Sequence, residues 1–412
     1  MTKRFRPHIQ SLQSFQSGPL GTHLERFASL LIQKGYSSEA GWDKIRLVAD
    51  LSRWMVQKNV RLEELDEKRT ATFLGWRWKR VAHQTGDQCT VALLLRQLRQ
   101  EGIVPAPVAP TPSRIDLIEH DYERFLHQER GLMSSTIEGY LRVARRFVCH
   151  RFQAGEIRLK ELCTKDVTDF VVQDASTRGR RAAQLMASVM RSFLNYLFQE
   201  GRTATNLAMA IPAMAGGRLS ELPRYLETAQ VEKLLRCCDR RRRVGRRDYA
   251  ILLLLARLGL RASEVARLQL EDLDWTAGEL RIRGKGNRVD RLPLLQDVGK
   301  AIADYLRNGR PSCLSRRVFV QCNAPFAGFS SPPNAVSGLV GRALARAGIK
   351  SRHQGAHLLR HSLATSMLRG GASLAQIGQV LRHESPQTTE IYAKVDLSAL
   401  RVLAQPWPGG AQ

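Results

Sequence analysis

Apolar residues along this chain recur mainly at three- and four-residue spacing, the period of helices that bury one face. LERFASLLIQKG from Leu24, IRLVADLSRWMVQKN from Ile45 and CTVALLLRQLRQEG from Cys89 show it, and Gly102 suits a C-terminal stop. A second helical series runs from Arg114 to Leu207. It holds IDLIEHDYERFLHQERG, SSTIEGYLRVARRFVCHRFQ, LKELCTKDVTDFVVQ and GRRAAQLMASVMRSFLNYLFQEG. Ser134 and Ser135 stand where they could cap the second of these helices. A third series starts with VEKLLRCCDRRRRVGRRDYAILLLLARLGL and resumes in VGKAIADYLRNGR, NAVSGLVGRALARAGI and HLLRHSLATSML. Between them the period changes to two. Glu279 to Arg283 and Val289 to Leu294 alternate around Gly284-Lys285-Gly286-Asn287, which predicts a β-hairpin with Lys285 at its tip. The expected fold class is mainly α with this small β-hairpin or sheet near the C-terminal half.

The breaks between the series set the expected domains. VPAPVAPTP, from Val104 to Pro112, carries four prolines and reads as an extended, semi-rigid linker. AMAGGRLSELPRYL is a second, Gly- and Ala-rich connection. The division is a helical unit over 1–103 behind a polar, basic arm, a linker over 104–112, a second helical unit over 113–216, and a C-terminal unit with its tail over 222–412. The first two helical units echo each other at an offset of 97: RLEEL from Arg61 matches RLKEL from Arg158, Ser37-Ser38 match Ser134-Ser135, and Phe73 matches Phe170. Both also begin with a Glu-Arg-Phe triplet. Chance likeness between helical domains competes with an internal duplication.

Charge narrows the partner. Sixty-four Lys+Arg against 38 Asp+Glu give a net +26, and a polyanion, nucleic acid first, is the natural counterpart. The densest cluster is Arg240 to Arg247, which a solvated loop would explain equally well. GWRWKR, from Gly75, could touch DNA or pack in a core. The 7 cysteines are scattered without C-x-x-C spacing, so zinc is not expected, and the Cys237-Cys238 pair reads as packing. No apolar run follows the N-terminus as in a secretory signal, and Arg257 interrupts the most apolar stretch, Tyr249 to Ala256, well short of a membrane span. A soluble, cytoplasmic chain with no membrane contact is the expectation. No acidic cluster suggests a two-metal nuclease and no G-x-x-x-x-G-K-[ST] loop suggests an ATPase, so no cofactor or metal is expected.

The candidate chemistry lies in QGAHLLRHSLATSMLRGGASLAQIGQVLRHESPQTTEIYAKVD, from Gln354 to Asp396. His357 and Arg360 are one helical turn apart, His383 precedes the turn-like Glu384-Ser385-Pro386, and Tyr392 follows. A guanidinium offers a fork for two phosphate oxygens, an imidazole moves a proton near neutral pH, and a phenol can be a covalent nucleophile. Each alone has a plainer reading as a solvated pair or a core aromatic. Their joint order, with Arg261 upstream, changes that. Arg261 lies between an apolar helix ending near Gly259 and a helix opening at Ala262-Ser263-Glu264, whose N-cap is expected near Ala262 or Ser263.

GLRASEVARL, RGKGNR, HLLRHSLATSML and LRHESPQTTEIY, in this order and spacing, resemble the tyrosine recombinase (phage integrase) family, which includes the Xer and Cre recombinases. The resemblance spans Leu222 to Leu400 closely and Arg114 to Ala215 more loosely. It implies that Arg261 and Arg360 clamp the scissile phosphate, that Lys285 protonates the leaving 5′-oxygen, that His357 is a general acid/base, that His383 hydrogen-bonds the phosphate, and that Tyr392 is the nucleophile. It also implies a core-binding domain in the second helical unit, a core-binding-like copy in the first, double-stranded DNA as partner, and a homo- or hetero-tetramer on that DNA. The implied activity is site-specific recombination through a 3′-phosphotyrosine, for a mobile element. A type IB topoisomerase and a non-catalytic DNA-binding accessory factor are the alternatives. One position departs from the family pattern: Arg382 stands where glycine usually precedes the second histidine, and it is expected to face solvent or DNA.

Overall fold

The computed structural model describes residues 15, 17–82, 84, 86–107, 111–153, 155–212, 223–284, 288–329 and 332–395. The chain divides into two compact units: Val108–Ser220, and Met1–Pro107 together with Glu221–Gln412.

The smaller unit holds α5 (Arg114–Gln128), α6 (Ser134–Phe152), α7 (Thr164–Ser176) and α8 (Arg180–Gln199). Tyr122, Phe147, Phe193 and Tyr196 fill its core, with Tyr122 edge-on to Phe193 at 5.0 Å. Ser113 starts α5 with a capping box, its hydroxyl accepting from the Asp116 N–H while the Asp116 carboxylate accepts from the Ser113 N–H. α6 lacks the expected serine cap. Ser134 is already helical, and the extended residue before it is Met133, whose side chain makes no cap bond.

In the larger unit the N-terminal helices are α1 (Leu24–Gln33), α2 (Ser38–Gln57), α3 (Glu67–Trp78) and α4 (Asp87–Gln100). They enclose their own core of Phe27, Leu51, Trp54, Phe73 and Leu94. Gly102, in the left-handed region at φ 72, lies just past α4 where the sequence placed the stop. In GWRWKR the middle residues, Trp76 to Trp78, pack inward while Lys79 and Arg80 stay exposed. Arg77 is buried and pairs with Asp50 at 3.2 Å and Asp87 at 3.0 Å, the Trp78 indole N–H donates to Asp87, and Trp76 lies against the core under the Arg80 guanidinium. The sequence echo has a structural counterpart. RLEEL and RLKEL each form a 3₁₀ turn, Leu62–Glu64 and Leu159–Glu161, and Phe73 and Phe170 are both buried.

The remainder of this unit is built around α10 (Arg243–Leu258), whose residues Ala250 to Leu255 are all buried. Its length of apolar sequence follows from being covered on every side rather than along one stripe. α9 (Thr228–Arg236), α11 (Ala262–Arg267), α12 (Gln296–Asn308) and α13 (Pro332–Arg346) pack around it. Three antiparallel strands in the order β1 (Leu273–Asp274), β2 (Glu279–Arg283) and β3 (Val289–Pro293) form the sheet. Leu280 pairs with Leu292, and Leu280 and Ile282 turn inward, so the register obeys the alternation seen in the sequence. Much of the Arg240 to Arg247 cluster is structural: Arg247 is buried on Asp248, Arg246 pairs with Asp304, and Arg240 lies over Tyr249. Cys238 is buried in the core and both adjacent cysteines are free thiols. No helix among the described residues is long and apolar enough to cross a membrane.

Candidate active site

Two helix junctions meet at the site. α10 stops because Gly259 takes the left-handed conformation, φ 58, and a Cβ there would come within 2.6 Å of Leu381. α15 (Leu374–Leu381) stops the same way, with Arg382 at φ 56. The buried guanidinium of Arg360, on α14 (His357–Arg369), joins them: Nη1 donates to the Gly259 carbonyl and Nη2 to the Leu381 carbonyl. Arg360 is 4% exposed, and burial followed by the Arg261 and Arg382 charges pulls its pKa down to about 10. It remains a cation at neutral pH, held where an anion would relieve its desolvation.

Arg261 is itself the N-cap of α11, which opens at Ala262. The Glu264 carboxylate does the capping, accepting from the Arg261 N–H at 2.8 Å and from its Nη1 at 2.8 Å, while Arg261 Nη2 donates to the Arg382 carbonyl at 3.4 Å. Glu264 is 5% exposed, and although burial alone would raise its pKa, Arg382 and Arg261 hold it below the usual carboxylate range. Its second cation is Arg382, whose Nη2 lies 2.7 Å from Glu264 Oε2. Arg382 was expected to face solvent or DNA. Its side chain is instead 8% exposed, because the carboxylate draws it inward.

His383 and Tyr392 close the cluster. His383 Nδ1 lies 2.7 Å from the Thr389 hydroxyl, and burial with the Arg360 and Arg261 charges pushes its pKa down to about 4. Tyr392 sits in the 3₁₀ turn Glu390–Val395, 1% exposed, with its hydroxyl 2.8 Å from Nδ1 of His361. Burial raises the phenol to about 12, against the pull of Arg360, and burial with the neighbouring His357 and Arg360 lowers His361 to about 4. Phenol and imidazole are therefore both neutral at pH 7 and share a neutral hydrogen bond. His357, at the start of α14, is exposed, its ring centre 6.4 Å from that of His361. Lys285 lies outside the described residues; the strands on either side of it pair as expected, and Gly284 N donates to the Arg288 carbonyl at 2.8 Å.

Arg261, Arg360, His383 and Tyr392 thus converge, and Glu264, His361, Thr389 and Arg382 join them without having been singled out for such roles. His361 carried a signal: it is one turn after His357, so a helix from His357 puts both on one side. Glu264 carried another, since an acidic residue three after a helix-opening position is half of a capping box. Among the described residues no group of three or more His, Cys, Asp or Glu could hold a metal ion.

The half-buried, neutral His361 gives the molecule a specific acid response. Unfolded, an imidazole titrates near 6.5; folded, this one titrates near 4, so the unfolded state takes up the proton first. Stability is intact above about pH 6.5 and is lost as pH falls through that window towards 4. His361→Gln should flatten the fall in melting temperature between these values. Parallel curves for the two proteins would show that His361 is not the half-buried neutral group described.

The phage integrase family model matches residues 224–398. A Sinorhizobium fredii protein named as an integrase/recombinase, y4rA, is 43% identical over 397 residues, 96% of each chain. The tyrosine recombinase XerD of Listeria monocytogenes is 32% identical over 287 residues, covering 68% of this chain and 94% of XerD. Among solved structures, the XerH site-specific recombinase bound to its difH substrate aligns over 84% of this chain and 98% of XerH, with 20% identity and a TM-score of 0.56, which shows a shared fold. A λ integrase dimer on a core site gives a TM-score of 0.52 at 17% identity, over 71% of this chain and 97% of that one. By its similarity to y4rA and XerD along most of their lengths, this chain belongs to the tyrosine recombinase, or phage integrase, family of DNA cutting-and-rejoining enzymes.

Proposed function

We propose that this protein is a site-specific recombinase that breaks and rejoins double-stranded DNA through a 3′-phosphotyrosine at Tyr392, serving the integration of a mobile element. The observation that carries the reading is the Tyr392 hydroxyl, 2.8 Å from a neutral imidazole and within the field of Arg360. Attack on phosphorus forms the tyrosine O–P bond and breaks the bond to the 5′-oxygen, so the phosphodiester energy is kept in the adduct. His361 is placed to hold and orient the phenolic hydroxyl for attack. Arg261 and Arg360 stabilise charge on the non-bridging oxygens, each worth about 10²–10³ in rate by analogy with oxyanion-hole donors. His383 donates to the phosphate from the side set by Thr389, exposed His357 is an acid/base at the rim, and Lys285 protonates the leaving 5′-oxygen. Because Tyr392 is 1% exposed, its 3₁₀ turn must shift for the hydroxyl to reach DNA.

The name of the integrase/recombinase y4rA supports a mobile element, and the λ integrase tetramer seen on a Holliday junction supports a tetramer, homo- or hetero-, on DNA. A cytoplasmic location follows from a DNA substrate. Residues 113–216 serve as a core-binding domain, the C-terminal part from 222 as the catalytic domain, and residues 1–103, behind the linker 104–112, as a second core-binding-like copy. The test uses DNA selected by the protein from a random-sequence pool. A nicked duplex of that site should give a protein–DNA adduct on a denaturing gel, and a plasmid with two sites should yield recombinant products. Relaxation of plasmid without recombinants would favour the topoisomerase reading.

Removing residues 1–105 should leave adduct formation within about tenfold of the full chain while recombination falls further. The four N-terminal helices have a core of their own, separate from that around α10. Linked attachment by such a unit can add about 10²–10⁴ in affinity. A shorter footprint on DNA would assign the unit to DNA contact. Loss of the adduct itself would show that these helices are part of the catalytic fold.

A further inference from the structure

The residue that departs from the family pattern is the one most deeply tied into the site. Arg382 occupies a left-handed position, φ 56, that costs an arginine backbone strain a glycine would not feel. Its guanidinium is removed from water, and neither Nε nor Nη1 has a hydrogen-bond partner. Two penalties at one position call for a compensating interaction, and the described contacts supply it. Nη2 takes Glu264 Oε2 at 2.7 Å, and Nε lies 3.6 Å from Asp290 on β3.

The consequence falls on Arg261. Glu264 is a buried anion in reach of two cations, and Arg261 already gives it a backbone N–H and Nη1. A buried carboxylate with Arg261 as sole counter-ion would hold that guanidinium in a closed pair, with its charge spent inside the protein. With Arg382 on Oε2, the cluster of Arg261, Arg360, Arg382 and Glu264 keeps an excess of positive charge. Arg261 is the member of the two pairs still open to solvent, its side chain 34% exposed against 8% for Arg382.

We propose that Arg382 is a positioning residue for strand cleavage: by sharing the Glu264 carboxylate from the buried side it leaves more of the Arg261 charge, on the half-exposed guanidinium, to hold the scissile phosphate. The inference rests on the recombinase reading above. It predicts a sign reversal that a packing role would not give. Breaking a buried pair from one side leaves an uncompensated charge, whereas removing both charges is close to neutral.

The test measures single-turnover adduct formation on the selected nicked duplex, with DNA affinity and melting temperature measured in parallel. Arg382→Gly relieves the left-handed backbone strain but leaves Glu264 with one counter-ion fewer, so cleavage is read well below its own melting temperature. Its cleavage should slow by about 10²-fold, the scale of losing one phosphate donor, with affinity changed only a few-fold. Glu264→Gln alone should also slow cleavage, by stranding Arg382. The double variant should return to within about tenfold of wild type. If Arg382→Gly melts early, Arg382→Met is read in its place. Wild-type cleavage in the Arg382 variant, or a double variant no faster than the slower single, would overturn the proposal. If wild type itself forms no adduct, the recombinase reading fails instead, which separates the two claims.

Discussion

Tyr392→Phe should bind DNA as wild type does and form no covalent adduct. The ring stays in its apolar setting of Ala364, Ile377 and Leu381, so the shape of that core is unchanged. What goes is one hydroxyl, and with it the partner of His361 Nδ1. Leaving a buried imidazole nitrogen unpaired costs about 1–3 kcal/mol, a measurable drop in melting temperature but less than most domains can bear. The proposed phosphate clamp of Arg261 and Arg360 is untouched, so affinity should move little. A labelled adduct persisting in this variant would put the nucleophile elsewhere.

Raising salt from 50 to 200 mM should weaken DNA binding by roughly 10³–10⁵, the range for six to ten phosphate contacts. The 64 Lys+Arg alone would suggest an even steeper response. The structure explains why it should not be. Arg77, Arg145 and Arg247 are held by carboxylates within the fold, and Arg382 is buried on Glu264. Such guanidiniums release few counterions because they already have partners. Arg240 to Arg243 are exposed and remain candidates for the backbone. A flat dependence of affinity on salt would mean that the excess charge serves something other than DNA.

Sequence periodicity foretold most of the architecture because most helices bury one stripe, α10 being covered all round, and the hairpin because Leu280 and Ile282 alternate with exposed neighbours. The left-handed stop at Gly259 was equally legible, since glycine is the residue that reaches that conformation without cost. What escaped the sequence shares one cause: side chains whose setting is decided by a distant partner. Arg382 is polar and sits in a turn, so local rules send it outward, and Glu264 and Asp290, both far upstream, draw it in. GWRWKR left contact surface and core open from sequence, and what decides for packing is Arg77 turning inward to the distant Asp50 and to Asp87. The missing cap of α6 is the converse case, where two serines stood one residue too late to cap anything. His361 could have been found, being one turn from His357, but only the fold brings Tyr392 to its ring.

The most direct measurement identifies the residue that carries the DNA. The full-length protein is reacted with a nicked duplex of its selected site, digested with protease and nuclease, and the nucleotide-bearing peptide is sequenced by tandem mass spectrometry. The account predicts a single modified peptide, from the segment around Glu390–Val395, with a 3′-linked nucleotide on Tyr392. A nucleotide on any other residue, or one joined through its 5′-phosphate, would contradict it.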